Sequence, residues 1–312
     1  MTEARIARDQ KPTKAGSTGA PRRRLPDLGP LPWIGPALLL IFGVVLWPAF
    51  EMLRTSVLEI SRSGLAKGFI GLENFERLFA DPDLTGILTR TLVWVFVAVS
   101  VTILVSLGLA SLLNAAFPGR RLVRWALIIP WAASVVMTAT VWRWMLDGFY
   151  GIINRILFDL GLIGGPINDW LGDPSTAFIW LMFVAIFVSL PFTTYVLLAG
   201  LQSIPRDIYE AARVDGATGW QAYVGITLPM LRPALLVAAI INMINVFNSF
   251  PIIWAMTKGG PGSLTDTTTT HMYKLAFQLL DVGQSAAMAV VNFTVILLFV
   301  LLYLRVVDWR RA

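Results

Sequence analysis

Residues 210–229 read EAARVDGATGWQAYVGITLP, a polar stretch rich in alanine and glycine between two long apolar segments. The stretch is too polar for a helix surrounded by lipid, and its composition is also a poor one for a flexible loop. It is better explained as a short structured element at the face of a membrane, shaped to be held by another protein. That explanation favours a membrane protein driven by a partner over one that works alone.

Composition places the rest of the chain in a membrane. Of the 312 residues, 56% are hydrophobic and 14% are charged, whereas soluble domains have about 25% charged residues. The chain has no cysteine, which excludes disulfides and thiolate metal sites. A formal net charge of +6 would suggest nucleic acid in a soluble protein. Here the positions of the charges around the apolar segments explain it, so we expect no nucleic-acid partner.

Six apolar segments are long enough to cross a bilayer, which requires about 20 residues. Their length and their lack of strict alternation favour helices over barrel strands. The sequence therefore predicts an all-α integral membrane fold with six transmembrane helices. Tryptophans near the span ends, such as Trp131, are expected to be interfacial anchors. The predicted spans are Trp33–Leu53, Leu88–Asn114, Leu122–Leu146, Ala177–Leu201, Leu231–Met256 and Gln284–Val306.

The distribution of lysine and arginine predicts the orientation of these spans. Both termini and the loops near 115–124 and 201–233 fall on one side and hold 16 of these residues, against 6 in the three opposite loops. Both termini, and with them the stretch 210–229, are therefore predicted to be cytoplasmic. Residues 1–30 are rich in Lys, Arg, Gly, Pro and Thr and are predicted to be a disordered basic tail. Residues 31–312 are then the transmembrane domain.

The predicted spans lack the groups that ion-coupled carriers and enzymes need. Such carriers use Asp, Glu, His or Lys near the middle of the membrane, and here the ionisable residues lie near span ends. The stretch 259–262 is rich in glycine but lacks the GK[ST] ending of a nucleotide-binding loop. His271 falls in a predicted outer loop, where we expect a solvated or capping residue. We expect neither a catalytic nor a metal site, and the energy for transport would come from elsewhere.

The polar stretch and its approach have the signals of two short helices. Pro205 suits a first helical turn, with Ser203 available as a cap. A helix is predicted from Arg206 to Val214, and Gly216 is expected to end it in the left-handed conformation that glycine accepts. Residues 218–221, Thr-Gly-Trp-Gln, fit a capping box that begins the second helix.

The second helix is predicted to stop before Pro229. On the first helix, Ala211 and Ala212 have little side-chain bulk, so another surface could approach the backbone closely there. Glu210 and Asp215 flank that flat patch with charge. An ordinary amphipathic connector resting on lipid headgroups is the alternative explanation of the same composition.

Several blocks of sequence resemble those of a known family. Glu-Ala-Ala at 210–212, glycine at 216 and Ile-x-Leu-Pro at 226–229 have the order of the EAA motif of ABC importer permeases. The surroundings are similar to the carbohydrate-uptake (maltose-type) branch, and the resemblance extends from about residue 31 to the C-terminus, with its central region at about 88–306. The other matching blocks are LLAGLQSIPRDIYEAARVDGATGWQAYVGITLPMLRP at 197–233, GLENFERLF at 71–79, YGIIN at 150–154 and TKGGPGSLTDT at 257–267.

The resemblance implies the type I ABC importer permease fold and a subunit that does not hydrolyse ATP itself. It implies two cytoplasmic ATPase subunits that bind ATP, an extracytoplasmic solute-binding protein, a second homologous permease in a heterodimer, and a place in the bacterial inner membrane. A di- or oligosaccharide would cross by alternating access. The EAA segment would be a coupling helix seated on the ATPase, with the coupling residues Glu210, Ala211, Ala212, Asp215 and Gly216.

A sugar path needs hydrogen-bonding groups inside the membrane, and two predicted spans contain them. Asn242, Asn245 and Ser249 share one helical face of the fifth span, with Asn248 close to it. The fourth span adds Ser189 and Phe192 around Pro191. The resemblance places the family's sugar site in these same two regions. Interhelical hydrogen bonding is the alternative role of such residues.

Three other functions stay open at the level of sequence. Glycerol-3-phosphate is the nearest alternative substrate and would require cationic groups along the path, and the predicted path residues include none. A polyol would use the same amides and hydroxyls as a sugar. An ion-coupled secondary carrier is disfavoured because it would need intramembrane charge and would have no use for a cytoplasmic docking motif.

Overall fold

A computed structural model of the chain describes residues 31–165 and 167–307. The predicted basic tail, residues 1–30, lies outside the described residues. By its internal contacts the chain divides into two units, Met1–Ala49 and Phe50–Ala312.

Four of the predicted spans are confirmed as long apolar helices. They cover Trp33–Ser56, Leu84–Asn114, Pro174–Gln202 and Val282–Arg305. The first consists of α1 (Leu31–Leu40), a π-helical segment (Ile41–Leu46) and α2 (Trp47–Ser56). The other three belong to α4 (Leu84–Asn114), α8 (Pro174–Gln202) and α15 (Val282–Val307).

The third predicted span is not one helix. Its residues form α5 (Arg120–Ala132) and α6 (Val135–Met145), and neither is long enough to cross a bilayer alone. The break falls at Ser134, whose backbone is extended and whose hydroxyl accepts a hydrogen bond from the Met137 N–H at 3.4 Å. Serine is favoured in that position because its side chain satisfies a free N–H of the new helix. The prediction of a continuous helix over 122–146 is therefore wrong.

The fifth predicted span is also divided. It consists of α12 (Arg232–Phe247) and α13 (Phe250–Met256), separated by Asn248 and Ser249. Pro251 explains the break, because proline has no N–H for the carbonyl four residues earlier and its ring clashes with that carbonyl. The described residues thus contain four continuous spans, and a fifth if residues 219–247, bent by 64°, count as one span.

The segments between the long helices contain short elements. Antiparallel strands β1 (Leu58–Ile60) and β2 (Ala66–Phe69) form a hairpin that the all-α prediction did not include. The remaining short helices are α3 (Glu73–Phe79), α7 (Ile152–Asp159), α9 (Arg206–Val214), α10 (Gly219–Ala222), α11 (Leu228–Met230) and α14 (Thr268–Phe277).

The helices of the second unit pack around α4 and α8. These two form the central pair, α12 packs against both, and α6 packs against α13. Trp94, Leu181 and Val246 lie in the main buried cluster between them. At the end nearest α9, a side-chain carbon at Gly200 would come within 2.6 Å of the Ala234 Cβ. Only glycine allows α8 and α12 to approach so closely there.

Candidate coupling element and substrate cavity

Helix α9 has the predicted bounds, Arg206–Val214. Its first turn differs in detail from the prediction. Pro205 is the residue immediately before the helix, where no side chain caps the free N–H groups. The Ser203 hydroxyl donates instead to the Gly200 carbonyl at 2.7 Å, at the end of α8. The N-terminal end of α9 therefore has no side-chain cap, and the hydrogen bonds that terminate the helix locally lie at its C-terminal end.

That other end is closed by the predicted glycine. Gly216 has φ +80°, and its N–H donates to the Arg213 carbonyl at 3.1 Å. The Ala217 N–H donates to the Ala212 carbonyl at 2.9 Å. These two bonds form the Schellman arrangement, in which a left-handed glycine lets the chain fold back over the last turn.

The second helix begins as predicted and ends later than predicted. Thr218 and Gln221 form both bonds of the capping box. The helix then widens into a π-helical segment, Tyr223–Thr227, and continues through Pro229 to Met230. The expectation that it stops before Pro229 is wrong. A wider turn accommodates the proline, whose ring would clash with the carbonyl four residues earlier in a regular α-helix.

The five predicted coupling residues do not all face outward. Glu210, Ala211, Asp215 and Gly216 are exposed. Ala212 is only 8% exposed and faces a cavity of about 240 Å³ between α9 and the following helix. The flat patch predicted for the pair of alanines therefore exists at Ala211 alone. The side chain of Ala212 forms part of the wall of this cavity.

The six predicted path residues all line one cavity. Its volume is about 360 Å³, within the range of small-molecule sites, which begins at about 300 Å³. Helices α8, α12 and α13 form most of the wall, with contributions from the facing ends of α5 and α6. The lining includes Ser189, Phe192, Asn242, Asn245, Asn248 and Ser249.

The polar side chains of this cavity differ in whether they already form hydrogen bonds within the protein. Asn242 is 2% exposed, and within the described residues neither of its amide atoms has a hydrogen-bond partner. Asn245 is exposed on the lining. The Asn248 amide donates to the Ile244 carbonyl at 3.0 Å. The Ser249 hydroxyl donates to the Val246 carbonyl at 2.6 Å. Asn242 and Asn245 are therefore the amides most available to a solute.

Sequence reasoning missed two tryptophans of this region. The Trp94 indole N–H lies 2.9 Å from both the Val246 carbonyl and the Ser249 hydroxyl, so it bridges the break between α12 and α13. Its position inside the predicted span Leu88–Asn114 was the available signal, because tryptophan usually anchors at span ends. Trp131, expected to be an interfacial anchor, lines the cavity.

Two of the sequence blocks that resemble the family, 71–79 and 150–154, lie on the side opposite α9. Each contains a buried asparagine that holds neighbouring segments together. The buried Asn74 amide donates to the carbonyls of Ser56 and Leu58 at 3.0 and 2.9 Å. The buried Asn154 amide donates to the carbonyls of Asp147, Gly148 and Asn168 at 3.0 to 3.1 Å. One amide side chain in each block thus binds two or three carbonyls of neighbouring segments, which explains an asparagine at these positions.

The block at 257–267 contributes Asp266 to a buried ion pair. Asp266 is fully buried, and its carboxylate lies 2.6 Å from the Lys274 ammonium. Burial raises the pKa of the Asp266 carboxyl above its ordinary value, and Lys274 opposes that rise. His271, predicted to be solvated or capping, is 8% exposed, and its Nε2 lies 3.5 Å from an Asp81 carboxylate oxygen. Burial lowers the pKa of His271, which Asp81 opposes.

Comparison with known proteins matches this chain to one family. The family model described as "Binding-protein-dependent transport system inner membrane component" matches residues 93–311. A probable ABC transporter permease protein of Brucella suis is 42% identical over 271 residues, which cover 87% of this chain and 93% of that protein. The trehalose/maltose transport system permease protein MalF of Thermococcus litoralis is 37% identical over 245 residues, which cover 78% and 82%.

A solved structure agrees with the fold. A chain of a bacterial ABC transporter involved in the import of the acidic polysaccharide alginate superposes with a TM-score of 0.77 at 23% identity, covering 89% of this chain and 94% of that one. Permeases of this kind work with an ATPase and a solute-binding protein. The chain belongs to the family of inner membrane components of binding-protein-dependent transport systems, as an ABC importer permease subunit.

Proposed function

We propose that this permease translocates an uncharged sugar, a di- or oligosaccharide, through the cavity between α8, α12 and α13. The observation that carries the proposal is the chemistry of the lining, which offers amides, hydroxyls and aromatic rings and has no ionisable side chain among the described residues. Amides donate and accept, as sugar hydroxyls require, and an aromatic ring can stack on a sugar face. A relative named for trehalose and maltose transport supports the same substrate class.

The test is uptake by the assembled transporter. The chain is reconstituted in proteoliposomes with its partner permease, ATPase and binding protein. Radiolabelled maltose, trehalose, maltotriose, a polyol and sn-glycerol-3-phosphate are then compared. We expect ATP-dependent uptake of a neutral sugar and none of the phosphate ester. Preferential uptake of glycerol-3-phosphate would contradict the proposal, and uptake driven by an ion gradient without ATP would indicate a secondary carrier.

We also propose that α9 docks on the ATPase. Glu210, Ala211, Asp215 and Gly216 form the exposed contact, and Ala212 supports it from within. The exposure of the first four residues and the local closure at Gly216 support this role. A helix held in one conformation can make contacts that differ in energy between two states of the transporter, which any coupling requires. We further propose a heterodimer with a homologous permease, and a single permease domain over residues 31–312.

The proposed orientation places both termini and α9 in the cytoplasm and the loop after α13 outside. The chain has no cysteine, so Arg213→Cys and Lys258→Cys each introduce a single thiol at an exposed position. An impermeant thiol reagent added to intact cells is expected to label the second variant and not the first. After the cells are opened, both should react. Labelling of both in intact cells would contradict the proposed topology.

A further inference from the structure

We propose that Tyr209 and Thr227 form the link that passes movement of the ATPase from α9 to the helix carrying the cavity amides. The inference rests on the proposed docking of α9 and identifies how the docked helix would act on the substrate path. The Tyr209 and Thr227 hydroxyl oxygens lie 2.9 Å apart. The two residues are positioning residues, because neither lines the substrate cavity.

Few side chains of α9 pack against the rest of the subunit. Ala212 is its one buried residue. The space between α9 and the following helix contains the cavity of about 240 Å³ lined by Tyr209, Ala212, Tyr223 and Thr227 among others. The side chains on opposite walls of this cavity do not pack against one another across it. A displacement of α9 is therefore transmitted poorly by side-chain packing there.

The hydrogen bond crosses this void. Within the residues that the structure describes, it is the one side-chain hydrogen bond that joins α9 to another helical element. Thr227 is 4% exposed, so water competes little for its hydroxyl. The same hydroxyl lies 3.4 Å from the Ala222 carbonyl, which ties it to the start of the π-helical segment. The bond therefore connects α9 to the wide turn itself.

The wide turn leads directly to the cavity. The segment Tyr223–Thr227 continues through α11 into the bend at Leu231 and then into α12. Asn242 and Asn245 lie on α12 and line the cavity. A change of one residue in the register of a helical turn rotates the following helix by about 100°. A pull on Thr227 can therefore change which side of α12 faces the solute.

The test distinguishes the effect of losing a hydroxyl group from the effect of changing the size of a side chain. Tyr209→Phe and Thr227→Val remove the hydrogen bond and preserve shape. Thr227→Ser retains the hydroxyl. Tyr223→Phe is the matched control, because Tyr223 lines the same void and its ring stacks on Trp220 at 6.2 Å, a contact that phenylalanine keeps.

Uptake and ATP hydrolysis are measured on the same proteoliposomes, with whichever solute of the panel above the parent transporter takes up. The amount of solute moved per ATP is expected to fall about fivefold in Tyr209→Phe and Thr227→Val, as for the loss of one hydrogen bond. It should stay within about twofold of the parent in Thr227→Ser and Tyr223→Phe. A role confined to stability would lower uptake and hydrolysis together and leave their ratio unchanged.

A second measurement follows the movement without a solute. In an Asn245→Cys background, the labelling rate of the cavity thiol is compared with and without ATP and vanadate. The nucleotide-dependent change is expected in the parent and with Tyr223→Phe, and it should be lost with Tyr209→Phe. A parental ratio and a parental labelling change in Tyr209→Phe would overturn the link, as would equal losses in Thr227→Ser. Normal coupling after Gly216→Pro would instead overturn the docking of α9.

Discussion

Replacing Gly216 with proline is expected to abolish ATP-driven uptake while leaving the chain inserted in the membrane. Gly216 has φ +80°, whereas proline fixes φ near about −65°. Proline also removes the N–H that bonds to the Arg213 carbonyl at 3.1 Å. A backbone conflict of about 3 kcal/mol reduces the population of the native closure roughly a hundredfold. The spans are untouched, so insertion should proceed.

Gly216→Ala is the matched control for this variant. A methyl group at this position meets no atom within 4 Å, and alanine retains the N–H. Its one disadvantage is the left-handed backbone, which costs about 1 to 2 kcal/mol. We therefore expect partial coupling, between the parent and Gly216→Pro. The measurements are the amount of inserted protein, stimulated ATPase activity and uptake. Normal uptake by Gly216→Pro at normal expression would exclude a docking role for α9.

The conformation of the proposed coupling element was predictable to the extent that local rules determine it. The bounds of α9, the left-handed Gly216 and the Thr218 capping box each depend on residues within one turn of each other. The burial of Ala212 was not predictable in that way, because it depends on the path of the following helix. That path depends in turn on a π-helical segment before Pro229, and regular periodicity does not predict such a segment.

For the spans too, the features fixed by local sequence were predictable and those fixed by tertiary packing were not. Long apolar runs predicted six helices, and four of them are continuous in the structure, because length and hydropathy alone decide whether a segment can cross a bilayer. The breaks near Ser134 and Asn248 interrupt apolar runs without changing their composition. A hydropathy window does not register them, although Ser134 as a cap and Pro251 as a breaker were visible in the sequence.

Helical spacing predicted part of the cavity that we propose as the substrate path. Residues at three- and four-residue intervals share a face, so Asn242, Asn245 and Ser249 of the fifth predicted span were expected to line one surface, and they line the cavity together with the other three predicted residues. Trp94 was missed because its partners, Val246 and Ser249, lie more than 150 positions away along the chain. Spacing within one helix contains no information about such a contact.

Replacing Asn242 with leucine is expected to reduce uptake about tenfold or more without destabilising the protein. The Asn242 amide is 2% exposed and has no hydrogen-bond partner among the described residues. Leucine has a similar size, and the substitution breaks no hydrogen bond within the described part of the fold, so the melting temperature should stay close to that of the parent. A structural asparagine would behave in the opposite way, because its loss would break bonds within the fold.

The loss of uptake has a separate cause. If the Asn242 amide bonds to the sugar as it crosses, its removal leaves a desolvated hydroxyl unpaired, at about 1 to 3 kcal/mol. Asn292→Leu is the control, since Asn292 is also buried, its amide oxygen has no partner among the described residues, and it lies on α15, outside the cavity lining. Its amide nitrogen donates to the Met272 Sδ at 3.8 Å. Uptake, stimulated ATPase and melting temperature are measured on both variants. Parental uptake in Asn242→Leu would remove Asn242 from the path, and equal losses in both variants would point to helix packing.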